Sequence, residues 1–378
     1  MTFMMAIYFF VLSLFAIFSY GFIDLNLHLS SSPVFLTLQK PLEVLVFQMR
    51  PIASMIFLFL LSALFLAYIW FLKRGSTFFL TWKKTLLFLI AVAVLLVCSF
   101  PALTYDIFNY ITTAKVAFFH HENPYLVMPI EIPNEPYLAF TRAANKVALY
   151  GPVWILGTAI PHYLGQGNIW LTIIVFKLMN AVGYIGVSYL IYRATKSIKN
   201  VLFFALNPLI LIEILVSGHN DIYMMLFAVA GILLWEKRDM ESKIGGMILF
   251  VASCLIKGAT IVLLPLFFIK NISRDRLLLF AYCLLACVFF VVGPLREELY
   301  PWYAVWLISI AALFDLKKHA VLIGFTIVLS FALELRHIPY MYMGEYGGVG
   351  PMMRTLLTAV PLIVYGGYVG IKKLRLNK

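Results

Sequence analysis

From Phe3 to Phe22 the chain runs twenty residues without a charged side chain. As a helix that run is about 30 Å long, the thickness of a bilayer's hydrocarbon layer. Comparable apolar runs recur at 51–72, 85–104, 169–192, 201–218, 220–235, 277–294, 301–314, 320–335 and 351–370. Inside lipid every backbone N–H and C=O must find its partner within the protein, which restricts such segments to helices or a closed barrel. Runs this long and this uniformly apolar read as helices. The first exceeds a signal-peptide core and shows no small-residue cleavage site, so it reads as a retained helix.

Only 12% of the residues are charged and 63% are hydrophobic, against about a quarter charged in a soluble chain. No polar block is long enough for a soluble domain. The expectation is one integral-membrane domain, residues 1–378, all-α and polytopic. The four cysteines, Cys98, Cys254, Cys283 and Cys287, fall in or at the end of apolar runs. They read as small buried hydrophobes without a disulfide framework.

The net charge of +12 is not spread evenly. Of the 29 Lys and Arg, 19 lie in the short segments 73–84, 193–200, 236–243, 270–276, 315–319 and 371–378. That is the positive-inside pattern of cytoplasmic loops, and it argues against a nucleic-acid partner. Charge also resolves two ambiguous segments. Were 150–165, "YGPVWILGTAIPHYLG", to cross the membrane, "RATKSIKN" would lie outside. It is expected to lie along the outer interface, with Trp154, His162 and Tyr163 at headgroup level. The stretch 244–269 preserves the pattern only as a hairpin bent at "KGAT", with Lys257 at its tip. The count comes to about twelve spans, with both termini cytoplasmic.

Five features then gather on the outer side: the loop 106–150, "SGHND" at 217–221, Lys257, "REELYPWY" at 296–303 and "RHIPYMYMGEYGG" at 336–348. Each has a plain structural reading. Asp106 caps a helix, "SGHND" is a polar turn, Lys257 snorkels and the Trp and Tyr residues anchor span ends. The combination says more. Lys177, Glu213 and Lys257 lie within spans, where charge faces a cavity or a partner. Glu213 and Asn220, seven apart, share a face if their helix continues. One carboxylate with nearby cations and aromatic residues suits an anionic, lipid-linked substrate and a proton acceptor. No metal constellation is legible: His120 and His121 point about 100° apart on a helix, and HExxH, paired CxxC and carboxylate clusters are absent. Phosphate-binding glycine loops are also absent, so no cofactor or soluble nucleotide donor is expected.

The ordered set "YDIFNYITTAKVAFFHHENPY", "YGPVW", "NPLILIEILVSGHNDIYMM" and "YPWYAVW" resembles the GT-C integral-membrane glycosyltransferases. It is most similar to bacterial polyprenol-phosphate-mannose-dependent α-mannosyltransferases and glycosyltransferase family 87, over roughly residues 100–306. The resemblance implies a GT-C-like fold with external juxtamembrane helices in the first large loop, about 101–168. It implies a polyprenyl-phosphate sugar donor, a glycan or glycolipid acceptor, and reaction on the outer face of the plasma membrane. Asp106 occupies the place of the family's general base. Lys257, His219 and Arg296 are the candidates for the donor phosphate. Tyr105, Asn109, His121, Asn123, Tyr125, Tyr150, Asn220, Asp221, Trp302 and Tyr303 are the candidates for substrate contact. The chain departs from many relatives in having a single acidic residue where they carry an acidic pair.

Two other classes share some of these features. A polyprenyl-sugar flippase or transporter also has intramembrane charge, yet is expected to show paired halves, and "DIFNY" has no downstream counterpart. A non-catalytic envelope-assembly protein explains the anchors but not a carboxylate beside buried cations. A membrane acyltransferase is a further alternative.

Overall fold

The computed structural model describes residues 2–75, 79, 81–269, 271–296 and 298–376. These form helices and connecting loops, with no strand among the described residues. In chain order the helices are α1 (Thr2–Ser19), α2 (Pro33–Phe47), α3 (Arg50–Arg74), α4 (Trp82–Val97), α5 (Asp106–Phe118), α6 (Pro152–Gly165), α7 (Ile169–Thr195) and α8 (Ile198–Ala205). They continue as α9 (Pro208–Val216), α10 (Asp221–Trp235), α11 (Met240–Cys254), α12 (Arg274–Cys287), α13 (Ala304–Ala311), α14 (Ala320–Glu334), α15 (His337–Met343) and α16 (Gly350–Leu376).

Among the described residues, six stretches are long and apolar enough to cross a membrane, or seven if the bent pair α8–α9 counts as one span. The multi-pass membrane architecture follows. The expected total near twelve relies on short helices as well. Helices α4, α10 and α11 have 16, 15 and 15 residues, only ~23 Å by the helical rise. The apolar runs predict no element over 23–50, whereas α2 forms there and packs beside the end of α1 through Val46.

The centre of the molecule is residues 201–222, buried throughout. A helix apolar on all sides belongs in the middle of a bundle. It bends by 54° between α8 and α9, where Pro208 lacks an N–H and cannot continue the ladder. Tyr68 and Tyr184 donate their hydroxyls to the carbonyls of Phe203 (2.7 Å) and Ala205 (3.0 Å) at this bend. Asn207 caps the restart through Leu209 N–H at 3.0 Å. From Leu211 to Val216 the backbone is a π-turn, a feature frequent at functional sites.

Helix α10 does not continue α9. Gly218 has φ +89°, a left-handed conformation that glycine adopts without penalty, and the chain turns there. Glu213 and Asn220 therefore do not share a continuous helical face, as their spacing suggested; Glu213 instead faces His219.

The helix breaks at "KGAT", where the hairpin bend is expected: α11 ends at Cys254 and a 3₁₀ segment runs from Gly258 to Phe267. The start of α6 docks on this break. Gly151 and Val153 donate backbone bonds to the carbonyls of Ile256 (2.9 Å) and Leu255 (3.1 Å). A Cβ at position 151 would collide with the Leu255 carbonyl, so only glycine fits. Helix α6 buries Trp154, Thr158, Pro161 and Gly165. It exposes Leu156, Ile160, Tyr163 and Leu164, an apolar stripe at helical spacing on a 14-residue helix.

Two expectations are corrected here. Trp154 is no headgroup anchor: its ring is buried edge-on against Tyr110 at 5.1 Å, because α5 packs on α6. The cysteines are free, but Cys98, Cys283 and Cys287 are exposed and Cys254 is half-buried. Their apolar runs turn an outer face away from the bundle, and the thiols lie on it.

Candidate active site

Asp106 is the first residue of α5. Its own N–H donates to Thr104 Oγ1 at 3.0 Å, and its carboxylate shows no bond from a backbone amide of α5. The capping role is therefore not the one it plays. Oδ1 accepts from Asn109 Nδ2 at 3.3 Å, one helical turn on. Asn109 Oδ1 in turn accepts from Ala143 N–H at 3.1 Å, tying the large loop to the helix. Oδ2 lies 3.3 Å from Nδ1 of His219. The Asp106 side chain remains 23% exposed.

His219 is fully buried, with Nε2 3.1 Å from Glu213 Oε2. Both contacts are ion pairs whose alignment falls short of a hydrogen bond. One face of its ring stacks on Trp302 at 4.1 Å, and Trp302 stacks on Tyr300 at 4.4 Å. Burial disfavours the imidazolium, but the carboxylates of Asp106 and Glu213 outweigh burial and raise its pKa to about 9. The expected role of His219 lies at the donor phosphate. Both its nitrogens are instead turned to carboxylates, which makes it the link between Asp106 and the buried Glu213.

Lys257 stands at the α11 break. Its Nζ donates to both oxygens of Asp221 (3.2 and 3.0 Å) and lies 4.8 Å from the centre of the Tyr303 ring. Asp221, fully buried at the start of α10, also accepts from Trp306 Nε1 at 2.6 Å. Tyr303 stacks on Trp306 at 4.6 Å. Thus "SGHND", "KGAT" and "YPWY" meet in space. Asn220 is buried, with its N–H on the Tyr110 hydroxyl at 3.3 Å; its side-chain amide has no partner among the described residues. Tyr150 packs edge-on against Tyr110 at 4.8 Å. The side chain of Arg296 lies outside the described residues.

Not every candidate gathers here. His121 and Asn123 follow the far end of α5, ~18 Å of helix beyond Asp106. There Asn123 closes a turn on Tyr125 N–H at 3.0 Å. Tyr125 reaches back only to the Tyr150 carbonyl, at 2.9 Å. The substrate role expected of His121 and Asn123 beside Asp106 thus meets a spatial separation that the rigid helix imposes.

Further polar groups lie around these, some of them, such as Arg142 and His337, without a role expected from the sequence. Arg142 lies 4.7 Å from the Tyr105 ring centre. Burial, then Asp24 and Tyr340, push the Tyr105 phenol up, with Arg142 opposing. Lys177, fully buried, donates to Ser99 Oγ at 2.6 Å and to the Ser99 carbonyl. His337 Nε2 meets Glu213 Oε1 at 3.0 Å, and Glu334 lies alongside. A carboxylate cluster, expected to be absent, is therefore formed by Glu213, Glu334 and His337, with one ligand-type atom of each within 4.8 Å of the others. The E-x-x-H spacing at 334–337 was the available signal, although the two residues flank the turn between α14 and α15.

The arrangement offers one partly exposed carboxylate backed by a buried imidazole, and a lysine–aspartate pair at a helix break. Such a site can take a proton from a hydroxyl and receive an anion. No curated protein and no solved structure matches the chain. Residues 14–272 match the family model described as "Alpha-(1->6)-mannopyranosyltransferase, N-terminal domain", of the MptA_B family. Spanning more than half of the chain, that match covers helices α2–α11, and the protein belongs to the MptA_B family of membrane mannosyltransferases.

Proposed function

We propose that the chain transfers a hexose, mannose by family, from a polyprenyl-phosphate donor to a glycan or glycolipid acceptor at the outer face of the plasma membrane. The observation that carries this reading is the Asp106–His219–Glu213 line, of which only the Asp106 end reaches the surface. Asp106 takes the proton from the acceptor hydroxyl. The acceptor oxygen then bonds to the anomeric carbon as the bond to the phosphate oxygen breaks, with inversion. A positioned base of this kind contributes ~10²–10⁴-fold. The departing polyprenyl phosphate is already a stable anion and needs a cation rather than an acid. Lys257 supplies it by exchanging Asp221 for the phosphate, while Trp306 keeps its bond to Asp221. Asn109, Tyr105 and Tyr150 shape the acceptor side. The short helix α6 lies in the interface with its apolar stripe in lipid.

The reaction needs a lipid-phosphate donor and no added divalent metal. Purified protein should transfer mannose from polyprenyl-phosphate mannose to a lipid-linked or glycan acceptor, and give no product with a nucleotide sugar alone. Turnover with the nucleotide sugar, in preparations free of lipid-donor synthase, would remove the reading.

A further inference from the structure

The structure assigns a divalent-cation site to Glu213, Glu334 and His337. The three come from separate places: Glu213 from the π-turn of α9, Glu334 from the end of α14, and His337 from the start of α15. His337 Nε2 lies 3.0 Å from Glu213 Oε1 and 4.0 Å from Glu334 Oε2. Ligands bound to zinc at ~2.1 Å in a tetrahedron lie ~3.4 Å apart, a value that these two separations bracket. Small side-chain movements close the set on an ion.

Glu334 supplies the independent sign that something belongs there. Its side chain is fully buried, and neither carboxylate oxygen has a hydrogen-bond partner among the described residues. A buried carboxylate without a partner is costly, and here it also faces a second carboxylate, Glu213. A dication cancels both charges. One nitrogen and two carboxylate ligands suit a zinc-type ion better than calcium or magnesium, which take all-oxygen sets. On binding, Nε2 of His337 coordinates the ion through its lone pair, as the neutral imidazole.

The ion would act at a distance from the reacting atoms. It pins the α14–α15 corner to the π-turn and fixes one oxygen of Glu213. The other oxygen faces His219, which faces Asp106. Glu334 and His337 are thus positioning residues, and they lie beyond the residues 14–272 that the family model matches.

The test is elemental analysis of the full chain purified in detergent with metal-free buffers, together with melting curves. The expected result is about one zinc per chain, a melting temperature lowered by chelation and restored by zinc chloride, and a zinc affinity at least about tenfold weaker in Glu334→Gln and His337→Gln. Asp106→Asn should keep the ion, which separates this inference from the role given to Asp106. Wild-type chain without bound metal and without zinc-dependent stabilisation would overturn the site, leaving a proton on Glu334 as the neutralising charge. Folded Glu334→Gln with undiminished zinc would overturn it equally. Should that variant fail to fold, the wild-type chelation and reloading measurements decide alone.

Discussion

Nδ1 of His219 lies 3.3 Å from the carboxylate of Asp106, across 113 residues of sequence, and that buried ring is braced from behind by Glu213. Asp106 is thereby held at the start of α5 by a side chain from another helix junction. The proposed role of that carboxylate is general base, and the two roles that the sequence allows it, base and helix cap, predict different outcomes.

Asp106→Asn keeps the size of the side chain but cannot accept a proton. Turnover should fall by about two orders of magnitude or more at unchanged melting temperature and donor binding. Asparagine caps helices about as well as aspartate, so near-wild-type turnover in a steady-state assay would restore the capping role.

Lys257 is tied to a buried carboxylate, so its removal mixes two effects. Lys257→Ala should lower both the melting temperature and donor turnover, because Asp221 loses its counter-charge. Adding Asp221→Asn should restore most of the melting temperature while turnover stays low. Recovery of both in the double variant would mean that the lysine serves only to neutralise Asp221.

Gly151 holds α6 against the α11 break. A methyl group at this position would overlap the Leu255 carbonyl, so Gly151→Ala must push α6 away from that break. A loss of ~1–3 kcal/mol is expected from such overpacking, read by thermal or denaturant unfolding in detergent. Gly157→Ala, whose nearest neighbour is 3.9 Å away, is the control and should be close to neutral.

The charge distribution predicts the topology, and thiol labelling measures it directly. In a background without the four native cysteines, Asn134→Cys should react with a membrane-impermeant thiol reagent from outside, and Lys196→Cys should not. The reverse pattern would invert the protein and remove Asp106 from the outer face.

The helical class, the membrane setting and the break at "KGAT" were legible in the sequence, because each rests on local causes. Uncharged runs of bilayer length, short basic loops and a lysine–glycine interruption act over one or two helical turns. The family resemblance was legible for a related reason: its motifs are contiguous and ordered, and the family match over 14–272 agrees with it. Helix α2 was not legible, because its apolar residues are interrupted by Gln39, Lys40 and Glu43 and it packs on the end of α1 rather than standing alone. Only the tertiary structure decided the pairings. Asp106 with His219, Lys257 with Asp221, and Glu213 with His337 join residues 113, 36 and 124 positions apart. Nothing in local composition selects such partners. They are set by the 54° bend at Pro208 and the turn at Gly218, which carry buried polar groups to the one place where each meets an opposite charge.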